Sequence, residues 1–275
     1  MKRLKVIQPI IRRYETQGSS PILVVAEDFN QWVCKYRNEN KLFNEFLSAE
    51  FAKLWGINIP ENALIEIDYD KHIKNFSNKR GLERKFFDKD CFGSLHLKDS
   101  LEVNDSFLND KSFVRKIRNK DVFLKIALFD IWLSNEDRNS GNYNLLLNTE
   151  KGGYTLLYVI DHADIFNSSM AYINQNEIEI LTEEDTILNS KLSTLLLSNE
   201  TQIAQKVDDL LRDFRTFVDV CKNNLSDILS QVPVNWKINL QQYQSKVEDA
   251  FSEKWLDICD DKFRYYVQQF IIKKR

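Results

Sequence analysis

Three oxygen-bearing side chains in the middle of the chain have types and spacing that suit chemistry on a phosphate. Asp137 and Asn142 lie in the polar run Ser134-Asn135-Glu136-Asp137-Arg138-Asn139-Ser140-Gly141-Asn142, and Asp161 follows two short apolar segments. Those segments, Tyr143 to Leu147 and Thr155 to Ile160, flank Lys151-Gly152-Gly153 and read as a β-hairpin. The two ends of a hairpin lie close together, so Asp161 is expected near Asn142. One or two carboxylates beside a carboxamide suit Mg²⁺, which completes its shell with water and substrate phosphates. Phosphoryl transfer also needs a group that accepts the nucleophile's hydroxyl proton, and a loop Asp five positions before a metal-binding Asn is one known arrangement. Asn142 stands five positions after Asp137. The plainer alternative is a helix exit and turn, since Ser, Asn, Asp and Gly bond to their own backbone.

The elements that must hold these residues can be read from periodicity. Val122 to Leu133 is a strongly apolar helix ending at the polar run, and helices resume by about Leu192, with a break at Pro233. The N-terminal part reads as a small antiparallel meander of Val6 to Arg13, Ile22 to Ala26 and Gln31 to Tyr36. Phe43, Phe46, Leu47, Phe51, Leu54 and Trp55 fall on one face of a helix stopped by Gly56. Ala63 to Ile67 reads as a strand, Asp68 to Asp90 as an exposed charged excursion, and Cys91 to Leu97 as a return to apolar chain. A lobe boundary is expected soon after, giving residues 1–98 and 99–275.

Composition narrows the classes. The 275 residues carry 38 Lys+Arg against 41 Asp+Glu, a formal net charge of −3, which argues against a nucleic-acid-coating role. No apolar run approaches bilayer length, and the N-terminus does not read as a secretory signal, so a cytoplasmic protein without membrane attachment is expected. Four scattered cysteines and three distant histidines suggest neither a redox motif nor a zinc site. The basic amphipathic C-terminus, Phe263 to Arg275, reads as a docked terminal helix rather than a membrane-facing one.

Upstream, Gly18-Ser19-Ser20, Lys35 and Glu45 stand in the order of a phosphate loop, a strand lysine and a helix glutamate that orients it. Glu50 competes with Glu45, because it lies on the apolar stripe and Glu45 does not. Taken with Val33-Cys34-Lys35-Tyr36, Asn44-Glu45-Phe46-Leu47, Trp55-Gly56-Ile57-Asn58-Ile59-Pro60, Phe92-Gly93-Ser94, the Asn135 to Asn142 run and Ile160-Asp161-His162-Ala163, the chain resembles the HipA-like kinases. The likeness is closest to their small bacterial branch and extends to Val232-Pro233-Val234-Asn235-Trp236. It implies an α+β, bilobal protein-kinase-like fold, with an N-terminal antiparallel sheet plus helix and a mostly helical C-terminal lobe.

The resemblance further implies a serine/threonine kinase that binds ATP and Mg²⁺ in the cleft between lobes. Asp137 would be the catalytic base, Asn142 and Asp161 the metal ligands, and Lys35, oriented by Glu45, the contact to the α- and β-phosphates. Gly18, Ser19 and Ser20 would cover the phosphates, with Ser19 or Ser20 open to autophosphorylation, and Phe92 to Leu97 would meet adenine. Asn139 departs from the His that often follows the family's Arg. The acceptor is a protein or a small molecule, either antibiotic or sugar. A nucleotide-binding pseudokinase acting as partner subunit is the alternative from another class, and a partner protein encoded nearby is compatible with the resemblance.

Overall fold

The computed structural model describes residues 1–16, 18–77, 79–106, 108, 116–118, 120–150, 152–168, 177–198 and 201–273. The chain forms two compact units. The first comprises Met1–Ala49, Pro60–Lys98 and Ser226–Ile238, and the second Glu50–Ile59, Asp99–Leu225 and Asn239–Arg275. The expected division at residue 98 therefore needs amending, because two segments cross it. Glu50–Ile59 joins the second unit since Trp55 stacks on Trp132 (5.3 Å, 16°) and Phe51 packs against Trp132 and Phe251. Ser226–Ile238 joins the first since the Trp236 indole donates to the Asp90 carbonyl at 2.7 Å and meets Phe46 edge-on.

The first unit is built on a six-stranded sheet of β1 (Lys2–Lys5), β2 (Arg12–Arg13), β3 (Ile22–Val25), β4 (Gln31–Lys35), β5 (Asn62–Glu66) and β6 (Cys91–Leu95), in the order β1-β5-β6-β4-β3-β2. It is not wholly antiparallel, because β1 pairs parallel with β5. Nor is Val6 to Arg13 one strand. Pro9 brings no N–H to a ladder, and the chain bends at Gln8 and Pro9, leaving Lys2–Lys5 and Arg12–Arg13 as separate strands. Alternation along β4 turns Trp32 and Cys34 into the core with Ile22, Val24 and Ile65 and leaves Val33 and Lys35 on the other face. Gly93 of β6 is required where it stands, since a Cβ there would lie 2.5 Å from Ile65 Cγ1.

The helix of the first sixty residues is α1 (Glu39–Leu54), buried on nearly every side from Leu42 to Ala49. The stretch from Asp68 to Asp90 is more than an exposed excursion: Ile73, Leu82 and Phe87 are buried, and Phe87 stacks on Tyr36 at 5.0 Å.

In the second unit, α2 (Val122–Leu133) is almost wholly buried and ends at Ser134, whose left-handed φ of +49° turns the chain into the polar run. The hairpin forms as β8 (Leu145–Thr149) and β9 (Thr155–Val159), with Leu145 opposite Val159. A two-residue strand β7 (Leu101–Glu102), too short for periodicity to reveal, adds to β8. Helices α3 (Lys191–Leu197), α4 (Ile203–Ser230), α5 (Leu240–Ala250) and α6 (Glu253–Val267) follow, with Pro233 after α4, whose C-terminal end belongs to the first unit. From Lys111 onward the chain is expected to be mostly helical, and of that stretch residues 111–115 lie outside the described residues. The C-terminal segment is docked, with Phe263, Tyr266, Val267, Phe270 and Ile271 buried. No described helix is long and apolar enough to cross a membrane.

Candidate functional site

In the first unit, Lys35 Nζ forms an ion pair with Glu45 Oε1, both largely withdrawn from solvent. Glu50 pairs instead with Lys53 one turn on, at 2.7 Å. The pairing falls to Glu45 and not to its competitor Glu50: α1 is buried on nearly every side from Leu42 to Ala49, so its apolar stripe does not mark which side meets β4. The Gly18-Ser19-Ser20 turn precedes β3, and the Tyr36 hydroxyl donates to the Ser20 carbonyl at 3.1 Å, bringing Ser20 to the end of the lysine strand. Ser20 is buried, has φ of +46° and donates its hydroxyl to the Thr16 carbonyl. Gly18 is exposed and a Cβ there would meet nothing within 4 Å.

In the second unit, the polar run and the end of the hairpin converge as their spacing demands. Asn142 Nδ2 donates to Asp137 Oδ1 at 3.0 Å, and Asn144 Nδ2 donates to Asp137 Oδ2 at 2.9 Å. Both oxygens of one carboxylate are thereby held. Burial lifts the Asp137 carboxyl above the usual carboxylate range, and the like charges of Asp161 and Asp164 push the same way, while the two amides oppose them. The hairpin closes at Ile160, whose N–H donates to the Asn144 carbonyl at 3.0 Å. Asp161 itself adopts φ of +54°, a left-handed conformation costing roughly 1 kcal/mol for a residue with a Cβ.

The donor set fits a hard divalent cation. Asn142 donates an amide hydrogen to Asp137, and the carbonyl oxygen of the same amide is an acceptor of the kind that a hard cation takes, as is the Asp161 carboxylate. Among the described residues no three Asp, Glu, His or Cys side chains are arranged to enclose a metal by themselves. A cation here would complete its shell with water and phosphate oxygens.

Two groups that spacing did not single out belong to this site. Asn144 fell inside the segment Tyr143 to Leu147, read as the first strand of the hairpin, and nothing in the sequence distinguishes it. Asp130 could have been found, as the one carboxylate in a helix that is otherwise apolar except for Lys125. It is buried, and Arg138 and Asn135 bond to it.

A mixed sheet with one helix, joined to a mostly helical unit that carries a carboxylate loop and hairpin, defines a kinase-fold phosphotransferase. The chain is similar to the crystal structure of the Golgi casein kinase, with a TM-score of 0.50 at 12% identity over 96% of this chain and 74% of that one. A second structure of that kinase, with Mn/ADP bound, gives 0.49 at 10% identity over 97% and 72%. The proinflammatory kinase CtkA of Helicobacter pylori gives 0.43 at 12% identity over 93% and 99%. No curated protein sequence matches the chain. The HipA-like kinase family model matches residues 7–266, and the chain belongs to that family.

Proposed function

We propose that this protein is an ATP- and Mg²⁺-dependent serine/threonine protein kinase that transfers the γ-phosphoryl of ATP to a hydroxyl. Asp137 accepts the hydroxyl proton as the acceptor oxygen attacks the γ-phosphorus, and the bond to the bridging oxygen breaks with its electron pair leaving on ADP. Asn142 and Asp161 hold the metal, which supplies charge neutralisation on the phosphate oxygens when bound. Lys35, kept in place by Glu45, contacts the α- and β-phosphates, and the Gly18 to Ser20 turn covers them. With Ser20 buried and its hydroxyl engaged, Ser19 is the better candidate for autophosphorylation.

The observation that carries the reading is the Asp137 carboxylate, gripped on both oxygens by Asn142 and Asn144 with Asp161 in its field. Membership of the HipA-like kinase family supports a protein acceptor. One observation favours a small-molecule acceptor: a cavity of about 190 Å³ in the second unit is lined by residues 102–105 and 140–143, and its two carboxylates, Glu102 and Asp105, suit a cationic amino sugar.

The test is label transfer from γ-labelled ATP with Mg²⁺ into a bacterial lysate, followed by phosphoamino-acid analysis, beside a parallel assay on amino sugars. Phosphoserine or phosphothreonine supports the protein kinase, whereas label on the small molecule alone replaces it with the second reading. Nucleotide binding without transfer to either points to a pseudokinase acting through a partner.

A further inference from the structure

Arg138 is fully buried beside Asp137, and its guanidinium spans two segments of the chain. One nitrogen, Nη1, pairs with Asp130 of α2. The other, Nη2, lies 2.8 Å from the Ile160 carbonyl and 3.0 Å from His162 Nε2. An arginine has only donors and keeps its proton, so His162 Nε2 is the acceptor and that ring is neutral, with its proton on Nδ1. Ile160 and His162 are the two neighbours of Asp161. A single side chain thus grips the residue on each side of Asp161 while its own backbone follows Asp137. Backbone bonds run alongside: Glu136 N–H to the Asp164 carbonyl at 3.3 Å and Phe166 N–H to the Leu133 carbonyl at 2.7 Å.

We propose that Arg138, anchored by Asp130, is the positioning residue that sets Asp161 against Asp137, so that one buried guanidinium keeps the base and the metal ligand in register. This rests on the reading of Asp137 as base and Asp161 as Mg²⁺ ligand. Folding alone does not call for the arrangement, since buried ion pairs replaced by apolar side chains of similar volume often leave stability unchanged or raised. A planar fork that serves Asp130 with one arm and the Asp161 segment with the other does what a lysine's single ammonium cannot.

The test measures ATP affinity against Mg²⁺ concentration by calorimetry on the full chain, with thermal unfolding in parallel. The proteins are wild type, Asp161→Asn, Arg138→Lys, Arg138→Lys with Asp161→Asn, and the apolar pair Asp130→Leu with Arg138→Met. Arg138→Lys and the apolar pair are expected to raise the Mg²⁺ concentration for half-maximal effect by about tenfold or more, as loss of support behind a metal ligand does. The apolar pair is expected to fold but to unfold below wild type, because buried Asn135, the Ile160 carbonyl and His162 lose the bonds they make to Asp130 and Arg138. In the Asp161→Asn background, Arg138→Lys should change the Mg²⁺ dependence less than about twofold, because sites that act through one another are not additive. Wild-type Mg²⁺ dependence in the Arg138 variants, or an equal shift with and without Asp161, overturns the proposal. Should the apolar pair not fold, Arg138→Lys alone decides. If Asp161→Asn by itself leaves Mg²⁺ dependence untouched, the metal reading fails and takes the proposal with it; if it shifts while the Arg138 variants do not, only the positioning role is lost.

Discussion

Asp137 has each oxygen bonded to a different asparagine, one on its own loop and one just before β8. Holding a carboxylate in this way limits its rotation and aims its free lone pairs, which matters for a group that must take a proton from a hydroxyl in one geometry. Asn142 was legible from its five-residue offset, but Asn144 was not, because it falls inside the segment read as the first strand of the hairpin and has no spacing that sets it apart. Asn144 has φ of +47°, so Asn144→Gly separates its two roles. Glycine relaxes the backbone while removing the amide, and the expected result is unfolding at or above the wild-type temperature with kcat lowered roughly tenfold or more. Unchanged kcat in steady-state kinetics would show that Asn142 alone suffices.

Among the elements, the apolar helix, the hairpin and the strand bearing Lys35 could be read from period and turn chemistry, because each has a residue pattern of its own. The partner of Lys35 could not, since a helix buried on nearly every side from Leu42 to Ala49 carries no stripe that points to one neighbour. Glu45→Gln should raise the KM for ATP about tenfold or more, whereas Glu50→Gln, which loses only its partner Lys53, should stay within about twofold; the reverse ranking would reassign the lysine's partner. The turn into β4 offers a pH test. Burial opposes ionisation of Asp28, but bonds from the Trp32 indole, the Asn30 N–H and amide, and Lys2 outweigh it and hold its pKa below the ordinary value. A carboxylate lowered in the folded state contributes stability above its unfolded pKa of about 3.9 and loses it as pH falls through the folded value. Asp28→Asn is therefore expected to be less stable than wild type at pH 7, with the gap closing in acid unfolding measurements below about pH 3. A gap independent of pH would assign the effect to packing.

Across the whole molecule, the sequence order of the two units could be seen in outline, yet their true membership could not, because it is decided by aromatic contacts between distant segments. Trp236 and Asp90 are far apart in sequence and joined by a 2.7 Å hydrogen bond in the first unit. Trp236→Ala should lower stability by about 3–5 kcal/mol, the cost of emptying a buried indole site, despite its distance in sequence from the sheet. Denaturant unfolding that shifts by less than about 1 kcal/mol would show that the segment only rests on the surface. The β7 strand escaped notice for a different reason: two residues define no period. The account turns on Asp137 acting as the base of a phosphoryl transfer. The most direct measurement is transfer of γ-labelled phosphate from ATP in the presence of Mg²⁺, comparing wild type with Asp137→Asn at matched ATP occupancy determined by calorimetry. The account predicts transfer that falls by about 10²–10⁴-fold in the variant while ATP binding is retained. Transfer within a few-fold of wild type in Asp137→Asn would contradict it.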